Sequence, residues 1–201
     1  MKDLFPKESL DLIREVSLSF RRAANLWLDY CRSHEGKEGH NSDLAGEIAK
    51  RIKQLSFIFN KIVTLEEKSR VNADKMVRFV IRHKIQAPRA ILKEDSEVGF
   101  EVELLTECFY YLAFRLLKVA DLLTGLKLKN KSKGICNVRN HLIEHSELKD
   151  SQVFIISFAH VGPNGPVIKA ARYSHQIDKW KDAGLYKNTK EMLDVIIQAL
   201  S

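Results

Sequence analysis

The chain has 201 residues, of which 45% are hydrophobic and 29% are charged, and its formal net charge is +7. This length is enough to bury a core, and the composition is that of a folded globular protein rather than a disordered chain. No apolar run is long enough to span a bilayer, and the N-terminus lacks the apolar segment of a secretion signal. We therefore expect a cytoplasmic protein that does not contact membranes.

The first elements along the chain are long helices, which the spacing of apolar residues by three and four predicts. Four such segments cover residues 10–31, 42–62, 72–86 and 102–126. In the third segment the pattern turns four side chains inward: Met76, Val77, Val80 and Ile81. The fourth segment has the longest unbroken pattern, which predicts a helix that packs between antiparallel neighbours.

The next segment is rich in lysine, and it precedes a shorter predicted helix over about residues 137–147. Its four alternating lysines are Lys127, Lys129, Lys131 and Lys133. A net positive chain favours polyanionic partners, RNA among them, because lysine and arginine neutralise phosphates. The lysines are interpreted either as a solvated basic loop or as RNA-binding residues.

The pattern changes after residue 150. Residues 152–159 and 167–173 are rich in strand-forming residues, and the turn-forming segment 162–166 separates them, so we expect a β-hairpin. A last amphipathic helix contains Met192 and Ile196. The predicted fold is mainly α: an antiparallel helical bundle over residues 1–150, followed by a C-terminal β-hairpin and helix over residues 151–201.

The segment from Val138 to His145 carries most of the chemistry of the chain. The guanidinium of Arg139 is permanently charged and matches the oxygens of a phosphate, while the imidazole of His145 can take and give a proton near neutral pH. RNA supplies its own 2′-hydroxyl nucleophile, so this pair requires no metal or other cofactor. Six residues along an ideal helix rotate by about 240°. We therefore expect Arg139 in the first turn of its helix, where the two side chains can converge.

Arg139-Asn140, followed by four residues and His145, resembles the R-x(4–6)-H signature of HEPN domains. The long apolar helix before the motif agrees with the helical bundle of that family. The resemblance covers roughly residues 10–147. It implies a metal-independent endoribonuclease that works as a homodimer with its two motifs facing each other. Arg139 and His145 would be catalytic, and Asn140 would support them.

The same resemblance implies a biological setting. HEPN proteins are often toxins of toxin–antitoxin pairs, with an antitoxin protein as partner, or components of antiviral defence. Some members bind without cleaving. A non-catalytic helical module that binds RNA or a protein therefore stays open as an alternative, as does a plain solvated helix surface.

A zinc site is the third interpretation. His141, Glu144 and His145 spell H-x-x-E-H, and two histidines four residues apart lie on one helical face, where they can hold one metal ion. Such a site needs a further acidic ligand, and it leaves Arg139 without a role. We therefore regard a zinc-dependent hydrolase as the least favoured alternative.

Overall fold

The structure is a computed structural model that describes residues 5–37, 42–84, 89–146, 154–160, 164–172 and 183–201. Within these ranges, side chains are described except at residues 42, 140–146, 154–160, 167–172 and 183. The described residues form six helices, and the predicted helical bundle is confirmed. The helices are α1 (Lys7–His34), α2 (Ser42–His83), α3 (Arg89–Thr124), α4 (Leu128–Lys131), α5 (Lys133–Ser146) and α6 (Leu185–Leu200).

Helices α2 and α3 form the central antiparallel pair. The ammonium of Lys61 lies 3.2 Å from the carboxylate of Glu101, and that of Lys68 lies 3.0 Å from the carboxylate of Glu94. As residue numbers increase along α2, those of the partner residues on α3 decrease, so the two helices are antiparallel. These exposed ion pairs contribute little to stability, but they define which residues face each other along the two helices.

The prediction of separate helices over residues 42–62 and 72–86 is wrong, because α2 runs without a break from Ser42 to His83. The intervening residues include Leu65, Glu66, Glu67 and Lys68, which are good helix formers, and no proline or glycine interrupts them. The loss of apolar periodicity around residue 66 therefore marks a change in what the helix packs against, not its end.

The inward orientation predicted for the end of α2 is also wrong. Val77, Val80 and Ile81 are 56%, 42% and 72% exposed, and only Met76 is partly buried. The cause is tertiary, since α3 begins at Arg89 and its ion pairs with α2 end near Lys68. The last turns of α2 extend past the part of α3 that these pairs hold against it.

One hydrophobic core joins α1, α2, α3, α5 and α6. Trp27 of α1 is fully buried, and its indole N–H donates to the carbonyl of Ala45 in α2 at 3.0 Å. Helix α6 packs along α1 and buries Tyr186, Met192 and Leu193 in the same core. The division of the chain at residue 150 stays a prediction, but α6, which lies beyond it, is an integral part of the bundle core.

Three short strands precede α6: β1 (Phe154–His160), β2 (Pro166–Arg172) and β3 (Ala183–Gly184). Strand β1 pairs antiparallel with β2, so that Phe154 lies opposite Arg172 and His160 opposite Pro166, and β2 also pairs antiparallel with β3. Among the described residues, no helix combines the length and the apolar character that crossing a membrane requires.

Candidate functional site

The lysine-rich segment folds as a tight turn and the short helix α4, which Asp121 at the end of α3 holds in place. The carboxylate of Asp121 accepts hydrogen bonds from the backbone N–H groups of Leu128 and Lys129, the latter at 3.2 Å. Gly125 has φ +69°, and Lys127 has φ 53° at the start of α4. Asp121 thereby satisfies backbone donors that no residue within α4 can pair.

The four lysines differ in exposure. Lys127, Lys131 and Lys133 are exposed, whereas Lys129 is partly buried. The buried side chain of Leu128 anchors the segment on the core. Three of the four predicted RNA-binding lysines therefore present their charge to solvent on a well-anchored turn.

Helix α5 carries the motif, and its inner face packs on the core through Ile135 and Val138. Between them, the thiol of Cys136 donates to the carbonyl of Lys129 at 3.2 Å, which ties α5 to α4. Burial raises the pKa of the Cys136 thiol. The thiol is thus kept protonated, so that it serves as a hydrogen-bond donor and not as a nucleophile.

Arg139 lies on α5 beside this inner face, and its guanidinium stacks on an aromatic ring of α3. The guanidinium carbon lies 4.2 Å from the centroid of the Phe114 ring, and both side chains are partly buried. A cation over an aromatic face at this distance gains about 0.5–2 kcal/mol, more as it loses water. Phe114 therefore restricts where the positive charge of Arg139 can lie.

The expected location of Arg139 in the first turn of its helix is wrong. Helix α5 begins at Lys133, because Ser132 follows α4 directly and the chain turns into the new helix at once. Position 139 is thus well inside α5, and position 145 lies in the same helix. The rotation of about 240° between the two positions puts them on different faces of α5. The side chains of Asn140 and His145 lie outside the described residues.

The beginning of α5 is also fixed by α6. Asn188 donates through its side-chain N–H to the hydroxyl of the buried Tyr110 in α3, at 2.9 Å. The carboxamide of Asn188 lies so close to Gly134 that a Cβ there would overlap it. Helices α3, α5 and α6 therefore meet at one point, and a side chain at position 134 would have to displace the carboxamide of Asn188.

Neither Phe114 nor Asn188 emerges from the sequence as part of a site. Phe114 does not belong to the pattern of apolar residues spaced by three and four that predicts the fourth helical segment. Asn188 is a single amide in an amphipathic helix. Both act through residues at least 25 positions away along the chain. No local pattern relates positions so far apart.

The zinc interpretation depends on His141, Glu144 and His145, whose side chains lie outside the described residues. Where side chains are described, no cluster of three or more histidine, cysteine, aspartate or glutamate residues has a geometry fit for a metal ion.

A wide groove of about 770 Å³ opens between α1 and α6, away from the motif. Its lining includes Glu15, Arg22, Lys190 and Asp194, and Lys190 forms an ion pair with Asp194 at 2.6 Å. Charges of both signs balance there. The groove therefore lacks the excess of positive charge that distinguishes the region around Arg139.

Comparisons of the chain with protein-family models, curated proteins and solved structures give no match.

Proposed function

We propose that this protein is a HEPN-like, metal-independent endoribonuclease that acts in the cytoplasm as a homodimer. The observation that supports this most directly is the stacked guanidinium of Arg139 next to a basic turn. A charge held in one place can stabilise an anionic transition state without reorganising. The lysines of the turn would attract the polyanionic substrate.

The proposed reaction is the intramolecular cleavage of RNA. His145 removes the proton of a ribose 2′-hydroxyl, whose oxygen attacks the adjacent phosphorus. The bond from phosphorus to the 5′-oxygen breaks, that oxygen takes a proton from solvent water, and a 2′,3′-cyclic phosphate remains. Arg139 stabilises the extra negative charge on the phosphorane, and Asn140 supports the pair.

Positions 139 and 145 lie on different faces of α5, so we do not expect one subunit to bring both side chains into the same site. We propose that Arg139 of one subunit acts with His145 of the other, so that the two motifs face each other across the dimer. Each dimer would then contain two composite sites related by a twofold axis.

The test of activity uses purified protein and RNA in EDTA. Wild type should cleave, and Arg139→Ala should reduce the rate by about 10²–10³-fold through loss of charge stabilisation. His145→Ala should reduce it by about 10²–10⁴-fold through loss of proton transfer. Arg78→Ala and His83→Ala remove the same residue types from the far end of α2 and should leave the rate unchanged.

Other outcomes favour the alternatives. Stoichiometric zinc in the protein, with loss of activity in EDTA, would favour the hydrolase. RNA binding without cleavage by any folded form would favour the non-catalytic module. A neighbouring gene for a small protein that inhibits cleavage would support a toxin–antitoxin role.

The composite site has its own test, which is to mix the inactive Arg139→Ala and His145→Ala proteins. If subunits exchange, half of the dimers are mixed and one of their two sites is intact, so about one quarter of wild-type activity should return. A site formed within one subunit would return no activity. Subunit exchange is verified separately with two fluorescent labels.

A further inference from the structure

Charge is strongly segregated along α3 and the elements that follow it. Residues 89–109 contain six acidic and two basic residues, whereas residues 110–139 contain one acidic and seven basic residues. The second stretch therefore has a net charge of +6, in a chain whose total is +7. Its one acid is Asp121, and this carboxylate is engaged by the backbone N–H groups at the start of α4.

Two of the basic residues, Arg115 and Lys118, did not emerge from the sequence as candidates. Both are exposed on α3. Lys118 follows Phe114 by four residues, so it lies one turn further along the same side of α3. Because Arg139 stacks on Phe114, Lys118 borders the place where that guanidinium lies.

Arg115 and Lys118 belong to an exposed stripe along α3 that also includes an aromatic residue. Tyr111 is 40% exposed and precedes Arg115 by one turn, and Leu122 is 70% exposed and follows Lys118 by one turn. From Leu122 the chain continues to the exposed Lys127. An aromatic face next to a line of positive charges is the combination that single-stranded nucleic acid binds, through base stacking and phosphate neutralisation.

We infer that Arg115 and Lys118 bind the phosphate backbone of a single-stranded RNA on its way to Arg139, with Tyr111 stacking on one of its bases. This inference rests on the proposed function for its ligand, and it extends the binding surface from the lysine-rich turn onto α3. In the first half of α3, Glu94, Glu97 and Glu101 pair with lysines, so this half offers no excess of positive charge to a phosphate chain.

The test is the salt dependence of binding to a fluorescein-labelled single-stranded RNA. Each neutralised phosphate contributes about 0.7 to the slope of log K against log salt. The double variant Arg115→Gln/Lys118→Gln should therefore lower the slope by about 1.4 and weaken binding at low salt. Each single substitution should account for about half of this change. Tyr111→Leu should weaken binding without changing the slope.

The matched control is Arg78→Gln/Lys93→Gln, which removes the same net charge near the acidic half of α3. Arg78 lies 2.8 Å from Asp74, and Lys93 lies 3.8 Å from Glu97, so acids already balance both charges. The control should keep the wild-type slope. An equal fall in both double variants means that only net charge matters, and it overturns the inference, as does a wild type that binds no RNA.

Cleavage measured on the same samples separates this inference from the proposed function. If wild type binds RNA with the expected slopes but does not cleave it, the ribonuclease proposal fails and the binding surface stands. If wild type cleaves RNA and Arg115→Gln/Lys118→Gln binds with an unchanged slope, the binding surface fails and the ribonuclease proposal stands.

Discussion

The side chain of Arg139 is partly buried and yet permanently charged, so it needs both a packing partner and an electrostatic partner. The ring of Phe114 provides both, because its face attracts the cation and its carbon atoms pack against the core. The contact also keeps the guanidinium next to the ring of Phe114. The same pair thus links the stability of the α3–α5 interface to the place where the motif presents its charge.

A double-mutant cycle measures the coupling free energy between Phe114 and Arg139, and it needs no activity assay. We expect Phe114→Leu and Arg139→Gln to lower the free energy of unfolding in urea, and the double variant to lose less than the sum. The coupling should be about 0.5–2 kcal/mol in favour of the wild-type pair. Additivity within about 0.3 kcal/mol would contradict a specific interaction between the ring and the guanidinium.

Gly134 is the second residue at which a small change in the side chain should alter stability. Adding a methyl group by Gly134→Ala forces the carboxamide of Asn188 away from the position in which it donates to Tyr110. The variant should lose about 1–3 kcal/mol of unfolding free energy, which chemical denaturation measures.

Gly46→Ala is the matched control, since its new methyl group meets nothing within 4 Å in helix α2. It should gain about 0.5–1 kcal/mol, because alanine costs less backbone entropy in a helix. If both alanine variants are stabilised, the close approach of Asn188 to α5 is not as described.

At the scale of elements, the connection from α3 to α5 is the part on which the candidate site depends. Within this connection, the backbone N–H groups of Leu128 and Lys129 both donate to the carboxylate of Asp121. We expect Asp121→Ala to lower the free energy of unfolding by about 0.5–2 kcal/mol, and Asp121→Asn to lower it less, because the amide oxygen still accepts. Thermal or urea unfolding followed by circular dichroism gives both values.

Asp29→Ala serves as the comparison for Asp121. Asp29 is exposed on α1, where it pairs with Arg32 at 3.3 Å. A solvent-exposed pair of this kind should matter by less than about 0.5 kcal/mol. Equal losses at both positions would show that Asp121 acts only through charge and not as a cap of α4.

At the scale of the whole molecule, two buried tyrosines join α6 to the central pair. Tyr110 accepts a hydrogen bond from Asn188, and the hydroxyl of Tyr186 donates to the carboxylate of the buried Glu66 in α2. Burial raises the pKa of Tyr110 and of Tyr186, and the nearby charge of Glu66 raises the pKa of Tyr186 further. Both hydroxyls therefore stay protonated in the folded protein.

This predicts a specific loss of stability in alkali. The unfolded chain releases tyrosine protons at its ordinary pKa near 10 while the folded protein retains them, so stability is complete below about pH 9 and falls above it. Between about pH 10 and pH 12, Tyr110→Phe should flatten the fall by about 1 kcal/mol per pH unit. Urea midpoints across this range measure it. Tyr111→Phe, at the neighbouring exposed position, should follow the wild-type slope.

The sequence by itself determined the helical bundle, because apolar spacing by three and four is a local property that each helix carries. It correctly indicated α1, the later turns of α3, and α6. It failed at the end of α2, where Val77, Val80 and Ile81 remain exposed because none of the residues that the structure describes covers them. It also failed at the beginning of α5, where the preceding turn and α4, not the motif, decide where the helix starts.

The residues of the motif are evident in the sequence, but the residues that contact them in the folded protein are not. Tertiary structure alone decided that Arg139 stacks on Phe114 and that Asn188 rests on Gly134. The physical reason is distance along the chain: these contacts join residues brought together by helix packing, and packing depends on the summed shape and charge of whole helix faces. The pattern around any one residue does not contain that information.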